Sequence, residues 1–231
     1  HTGSVAVAGG RAGEAPSCEL SRVITEAGLK LGRLKTGTPP RLLKRSLDLD
    51  RLEMQHGDAE PQPFSFLTER ITRPQEPCWI TRTNESTMQI VERALPRSAL
   101  MGGRIDSTGP RYCPSIEVKL VRFPERRAHQ VFLEPEGIGS EEIYVNGLST
   151  SMAREDQLAM IRSVEGLERA EIIRFGYAVE YDYLNPHQLT PGLQTRAVRG
   201  LFTAGQVNGT SGYEEAGGQG LVAGVNALLH A

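Results

Sequence analysis

Two groups of residues in this sequence have the types and spacing needed for chemistry. The first is the glycine cluster Gly205, Gly209 and Gly212, set between the apolar run Leu201-Phe202-Thr203-Ala204 and a helix expected from about Tyr213. Glycines let the backbone turn tightly and approach a ligand, and the first turn of a helix presents unpaired N–H groups and a positive dipole end to a phosphate or an electron-rich ring. The apolar run has the length of a buried parallel strand, so strand, glycine loop and helix follow in the order of a cofactor site. A glycine turn with nothing bound has the same local pattern, and the cluster taken alone leaves both readings open.

The second group centres on Cys113, flanked by Pro110 and Pro114. Its thiolate would be the strongest nucleophile in the chain, and Arg111 and Lys119 are cations able to lower a neighbouring thiol's pKa. Two prolines restrict the backbone on either side, as a reacting group requires. The alternative is a buried structural cysteine, because free cysteines are among the most buried residue types.

Composition narrows the remaining classes. The chain has 231 residues, 39% of them hydrophobic, which supports one large or two small soluble domains with a real core. No apolar run approaches the roughly 20 residues of a membrane helix, and the first residues lack the basic end and long apolar centre of a signal peptide. Cys18, Cys78 and Cys113 are odd in number and form no C-x-x-C pair, which argues against a disulfide framework or a zinc site and for a reducing compartment. The histidines at 1, 56, 129, 187 and 230 show no ligand spacing, so no metal is expected. A net charge of −2 lacks the basic excess of a nucleic-acid-binding domain. Any RNA contact must therefore be local, at Lys35, Arg41, Lys44 and Arg45 or at Arg122, Arg126 and Arg127, both of which are equally readable as solvated surface.

The elements that must position these groups follow from periodicity. Leu20, Val23, Ile24 and Ala27 mark one face of a helix, with Ser17 as its cap and Gly28 at its end. Leu31 to Thr36 reads as a strand, and residues 35–41 as a stiff basic turn where the chain crosses between domains. Residues 51–77 are polar and proline-dotted, with no sustained period. Trp79 to Thr83 reads as a strand, and Asn84 caps a helix with Thr87, Ile90, Val91 and Ala94 inward and Pro96 as its stop. Residues 115–123 suit a strand or a helix equally. His129 to Leu133 and Glu142 to Val145 read as a hairpin, and Ala153 to Val164 as a helix with Leu158, Ile161 and Val164 inward. Glu171 to Arg174 and Tyr177 to Tyr183 read as strands; Glu180 and Asp182 share one face of the second, a pattern of a wet sheet face more than of a catalytic pair.

Two strings extend these readings. Thr195, the strand ending in Ala204-Gly205-Gln206, and the run A-G-Q-V-N-G-T-S-G-Y-E-E-A-G-G-Q-G-L-V-A-G-V-N resemble the second flavin motif of the FAD-dependent tRNA uridine 5-carboxymethylaminomethyl modification enzymes, once called glucose-inhibited division protein A. The string from Gly109 to Phe123, G-P-R-Y-C-P-S-I-E-V-K-L-V-R-F, resembles that family's other signature. Gln206 stands where many flavoproteins have Asp, and Gly217-Gly218 where this family commonly has alanines.

The resemblance implies an α/β fold, a two-dinucleotide-binding-domain flavoprotein with a partial Rossmann-like FAD domain at 1–35 and 187–231 and an inserted α/β domain at 36–186. It implies FAD, NADH as reductant, methylenetetrahydrofolate as carbon donor, tRNA as substrate, a GTPase partner, a homodimer, and a cytoplasmic or, in a eukaryote, mitochondrial location. It places Ser17, Gln206, Gly205, Gly209 and Gly212 at the flavin. The residues Gly109, Pro110, Arg111, Tyr112, Pro114, Ser115, Ile116, Glu117, Val118, Lys119, Leu120, Val121, Arg122 and Phe123 fall in its nicotinamide nucleotide segment, and Cys113 becomes the candidate for chemistry on the base, as nucleophile or proton donor. In this family a G-x-G-x-x-G would precede His1 and a helical domain would follow Ala231, so the chain is expected to be an interior fragment, inactive alone. The alternatives are the related folate-dependent tRNA uridine methyltransferase, which should lack P-R-Y-C-P-S, and a non-catalytic binding module of the same fold.

Overall fold

A computed structural model describes residues 1–110 and 114–231. The elements in order are α1 (Cys18–Glu26), β1 (Leu31–Thr38), β2 (Arg41–Leu43), β3 (Glu53–Gln55), β4 (Cys78–Arg82), α2 (Glu85–Ala94), α3 (Ile116–Arg122), β5 (Gln130–Pro135), β6 (Glu142–Asn146), α4 (Arg154–Arg162), β7 (Ile172–Arg174), β8 (Tyr177–Leu184) and α5 (Tyr213–His230). Single 3₁₀ turns fill several of the connections.

The body is an antiparallel sheet ordered β3-β4-β5-β6-β2-β7, covered by helices on the face that its apolar alternation selects. Leu133 pairs with Trp79 on one side and Val145 on the other, so a single inward row crosses three strands. Val131, Leu133, Ile143 and Val145 are fully buried with Met88, Val91, Met160 and Ile161 of α2 and α4. Truncating one of these large side chains would cost about 2–5 kcal/mol through lost transfer energy and cavity formation. The expected hairpin is β5 and β6, paired from Phe132↔Asn146 to Pro135↔Ile143.

Local signals set most helix ends. The Asn84 carboxamide oxygen accepts from the backbone N–H of Thr87 at 3.0 Å, and the Asn84 N–H reaches the Thr87 hydroxyl at 3.3 Å. The same cap spans two helices, since Asn84 Nδ2 donates to the Ser163 carbonyl at 2.7 Å just past α4. Residues 115–123, which suit either period, form α3, because Ser115 caps it with its hydroxyl against the N–H of Val118 and Ile116 and Leu120 then fall on one buried face. Ser17 occupies the cap position of α1 without a side-chain hydrogen bond, and no α1 residue is buried.

Four expectations need correction. Residues 35–38 continue β1 instead of turning, because β1 pairs with β8 along its whole length from Leu31↔Leu184 to Thr38↔Tyr177; only Pro39-Pro40 turns, and Arg41 already opens β2. In α4 the buried residues are Asp156, Gln157, Met160 and Ile161, with Val164 buried just past its end and Leu158 only half-buried: the Gln157 amide satisfies the backbone of Met152 and Gly176 at 2.8–2.9 Å, and that demand outranks a leucine. Residues 53–55, inside the expected irregular stretch, add an edge strand to β4. Residues 201–204 make no parallel strand; Phe202 forms one antiparallel bridge to Gln194, since no strand among the described residues lies alongside for a ladder.

Helix α5 begins at Tyr213 as expected and runs 18 residues despite Gly217, Gly218, Gly220 and Gly224. A Cβ built on Gly217 or Gly218 would meet nothing within 4 Å. Gly→Ala at either site therefore removes unfolded-state entropy without a clash and should stabilise the chain by about 0.5–1 kcal/mol each. Thermal unfolding should show a rise of about 1–4 °C per substitution, and a fall would mean that the helix is not formed in the isolated chain.

Candidate functional site

The string that begins at Gly109 lies beside β1 at one cavity. The Leu34 backbone bridges Thr108 in parallel, and the Lys35 N–H donates to the Thr108 carbonyl at 3.1 Å, which lays the start of the Gly109 string along the middle of β1. The cavity, about 310 Å³, is lined by Lys35 of β1, by Ser107, Thr108, Gly109 and Pro110, and by Pro114. Leu100 and Met101 form a second wall and Val118, Val121 and Arg122 of α3 a third. Lys35 is 3% exposed. Arg111, Tyr112 and Cys113 lie outside the described residues, between two prolines that both line this space.

Only part of the Gly109–Phe123 segment faces the cavity. Ile116 and Leu120 point into the sheet core. Glu117 is fully buried, and one carboxylate oxygen accepts from the Thr150 hydroxyl at 3.1 Å, the Ser151 N–H at 2.8 Å and the Ser151 hydroxyl at 3.0 Å. Ser115 serves as the helix cap, and Phe123 ends the helix half-exposed, with the Arg126 guanidinium 6.0 Å from its ring. Lys119 donates to the Gly147 carbonyl at 2.8 Å, away from the cavity lining, and burial pushes its pKa down. These side chains position the segment; they are not placed to touch a nucleotide in this cavity.

The basic clusters also disperse. Arg41 is held by Glu136, donates to the Thr38 hydroxyl and the Pro39 carbonyl at 2.8 Å each, and lies 4.2 Å above the Tyr144 ring, so it clamps the Pro-Pro turn. Lys44 sits over Trp79 at 5.3 Å. Arg127 faces Glu85 at 3.5 Å, which leaves Arg122 as the member of the second cluster that reaches the cavity.

The glycine loop is a separate site. Gly205 and Gly209 have φ of 79° and 82°, values that exclude a Cβ without strain, and they bracket one 3₁₀ turn. Gln219 of α5 ties the loop to the helix, its side-chain oxygen accepting from the Gly205 N–H and from Asn208 Nδ2 at 3.0 Å each. Asn208 and Gln219 were missed in the sequence because their pairing appears only once the loop folds back. Thr203 Oγ1, Asn208 Oδ1 and Thr210 Oγ1 are buried and find no partner among the described residues. Three orphaned oxygens around one turn are what a hydroxylated ligand would satisfy. Gln206 is exposed on the same turn, and Thr195 closes the preceding loop through its hydroxyl to the Val198 carbonyl at 2.8 Å. Ser17 is exposed on a different element, ahead of α1.

The start of α5 discriminates between the two ligand types expected there. Gly212 has φ −99°, ordinary for any residue, and its N–H donates to the Glu215 carboxylate at 3.2 Å, as does that of Ser211 at 3.3 Å. With Glu214 beside it, this helix end carries two acids, which oppose a phosphate and leave a neutral polyol or ring as the better occupant. A larger cleft of about 970 Å³ separates the amino-terminal string, with Gly9, Arg11 and Gly13, from Tyr177 and Phe175. The Ala12 N–H donates to the Tyr177 hydroxyl at 3.1 Å across it.

Behind α3, His129 is buried with no partner for its Nε2 among the described residues, and its pKa is lowered by burial first and then by the charges of Lys119 and Arg126. Its folded-state pKa lies below the unfolded value of 6.5, so the neutral ring's contribution to stability is complete above pH 6.5 and is lost as pH falls towards the folded pKa. His129→Gln should flatten the decline in denaturation midpoint between about pH 6.5 and 5 relative to the unsubstituted chain. Parallel curves for the two proteins would show that His129 does not titrate on unfolding.

Comparison with known proteins places this geometry. A family model described as glucose inhibited division protein A matches residues 1–231. The tRNA uridine 5-carboxymethylaminomethyl modification enzyme MnmG of Syntrophotalea carbinolica is 57% identical over 228 residues, 99% of this chain and 37% of that protein. The enzyme of the same name from Geobacter metallireducens is 58% identical over 229 residues, 99% of this chain and 37% of its own length. The crystal structure of Aquifex aeolicus GidA in form I superposes with a TM-score of 0.91 at 50% identity, covering 100% of this chain and 39% of that one. The chain thus spans less than two-fifths of its relatives' length, and its mixed α/β fold is theirs. With the model matched from end to end and more than half the residues shared with named members, the chain belongs to the glucose inhibited division protein A family.

Proposed function

We propose that this chain is part of an FAD-dependent enzyme that builds the 5-carboxymethylaminomethyl group on the wobble uridine of tRNA. The observation that carries the reading is the near-complete match, at 57% identity, to an enzyme named for tRNA uridine 5-carboxymethylaminomethyl modification. The residues around the glycine loop fit a flavin. Thr203, Asn208 and Thr210 hold orphaned buried oxygens, Gln206 stands exposed beside them, and the acids opening α5 favour the uncharged ribityl and ring portion over the pyrophosphate. Bound FAD would supply the redox chemistry.

In the same reading NADH is the reductant, methylenetetrahydrofolate the carbon donor, and a GTPase subunit and a second copy of the chain are the partners, working in the cytoplasm or mitochondrion. Gly9, Arg11, Ala12 and Gly13 line the large cleft, which supports a ligand role for that stretch. Cys113 stands in the sequence three residues after the cavity-lining Pro110 and directly before the cavity-lining Pro114. Its role in this reading is to act on the tRNA base as nucleophile or proton donor.

Two substitutions in the full-length enzyme test this. Gln206→Ala should weaken FAD by about 1–3 kcal/mol, the cost of leaving a buried ligand hydroxyl without its partner; flavin affinity unchanged by titration would remove Gln206 from the site. Cys113→Ser should abolish wobble-uridine modification while flavin content, NADH oxidation and melting temperature stay near the unsubstituted values. Normal modification by that variant would refute the chemical role, and loss of flavin or an early melt would assign Cys113 to structure.

A further inference from the structure

We propose that the cleft of about 970 Å³ between the amino-terminal string and the β7–β8 segment binds unpaired nucleotides of the RNA substrate, next to the base that reacts; this rests on the tRNA-modifying reading above. Its cations come together only in the fold. Arg11, Arg154 and Arg174 lie on three separate segments of the chain, and all three line the cleft beside the rings of Phe175 and Tyr177. Hydrogen bonds within the chain hold the rim. The Gly3 N–H donates to the Ser151 carbonyl at 2.8 Å, the Ala178 N–H to the His1 carbonyl at 3.0 Å, and the Ala12 N–H to the Tyr177 hydroxyl at 3.1 Å.

The lining selects a ligand that is both flat and anionic. Arg154 is exposed, stands 5.2 Å over the half-buried Phe175 ring, and has no carboxylate within ion-pair distance among the described residues. Aromatic faces and guanidinium planes are the surfaces on which unstacked bases pack, and the free N–H groups of the same guanidinium can meet a phosphate. Arg11 and Arg174 each face one acid, Glu14 at 2.6 Å and Glu142 at 3.2 Å, so their charge is partly spent and Arg154 is the main phosphate contact. Glu155, also on the lining, is exposed, and its charge acts on Arg97.

Position and charge separate this occupant from a dinucleotide cofactor. The start of α4 borders the cleft, but its first turn carries Glu155 and Asp156, which oppose a pyrophosphate at that helix end. The glycine loop lies elsewhere along the same ribbon. A Cβ on Gly209 would come within 3.1 Å of the Tyr183 ring, and Tyr183 is six residues along β8 from Tyr177, about 20 Å in an extended strand. A flavin at that loop, with the base it acts on, therefore leaves the cleft to the neighbouring stretch of the RNA strand, whose bases are free to stack where they are unpaired. Contacts there act on substrate binding and not on the chemical step.

The test uses the full-length, flavin-loaded enzyme and an unmodified tRNA substrate. Arg154→Ala and Phe175→Leu should each raise the tRNA Kd and KM by about 5- to 100-fold, the range of one lost base stack, with kcat, flavin content and NADH-driven flavin reduction within about 2-fold. Arg154→Ala should also make the dependence of log Kd on log salt shallower by about one, as loss of a single phosphate contact does. Arg154→Lys should restore that slope and only part of the affinity, because it returns the charge without the plane. Arg154 is exposed, so its substitution leaves folding intact even if Phe175→Leu melts early. An unchanged tRNA Kd in Arg154→Ala, or a loss of kcat or flavin in place of affinity, overturns the proposal. A raised KM for methylenetetrahydrofolate with tRNA binding unchanged overturns it too, and would assign the cleft to the carbon donor. Failure of the unsubstituted enzyme to bind or modify tRNA would overturn the functional reading itself.

Discussion

The geometry of the cavity depends on one buried carboxylate. Glu117 lies in the first turn of α3, and a single oxygen of it gathers three donors from Thr150 and Ser151. The Ile116 N–H joins the same connection at the Ser149 carbonyl, 2.8 Å away. Ser151 then passes the constraint on. Its carbonyl accepts from Ala99 and Gly3, and its hydroxyl from the Leu100 N–H at 3.1 Å. All three donors fall on Oε1, while Oε2 is buried and finds no partner among the described residues, so losing any of the three would leave the carboxylate still less compensated. It fixes α3 and the segment carrying Leu100 and Met101 to one connection, and these are two of the three walls around Lys35.

The third wall is set by pairing over a long distance. β1 and β8 are some 140 residues apart in the chain, yet eight residue pairs hold them in one register. That ribbon carries the chain into and out of the sheet that spans residues 41–174. Arg33 pairs across it with Asp182 at 2.7 Å, and Glu180 takes the Ser107 hydroxyl at 2.8 Å, which draws the lead-in to the Gly109 string onto the ribbon. The acids that alternate along β8 are therefore docking points for other segments, which is more than a wet face would do.

What could be read from the sequence follows from the range of the interaction concerned. The Asn84 cap, the start of α5 at Tyr213, the hairpin of β5 and β6 and the glycine turn at 205–209 are decided within a few residues, and their signals lie in the local pattern. Glu117, Arg41 and Lys35 were legible only as charges. Their settings come from far along the chain: Glu117 meets Thr150 and Ser151, Arg41 meets Glu136 and Tyr144, and Lys35 is buried on a strand whose backbone is docked by Thr108. The 201–204 run failed as a strand for a related reason. Its apolar residues have strand character, but a strand is a property of a pair, and the pairing available among the described residues is the one bridge to Gln194.

The same logic separates the two candidate sites by their state of completion. Around Lys35 the walls among the described residues are held by hydrogen bonds within the chain, those of Glu117 and Ser151 above all. Around the glycine loop the backbone is set by Gly205, Gly209 and Gln219, but three side-chain oxygens remain unmatched and the faces of α5 carrying Leu221, Val225, Leu228 and Leu229 stay open to solvent. A polar group buried without a partner costs about 1–3 kcal/mol, and several at one turn make that turn the least self-sufficient part of the fold. Binding there would satisfy the loop and order it together, so ligand affinity and local stability at 203–210 are expected to be one coupled quantity.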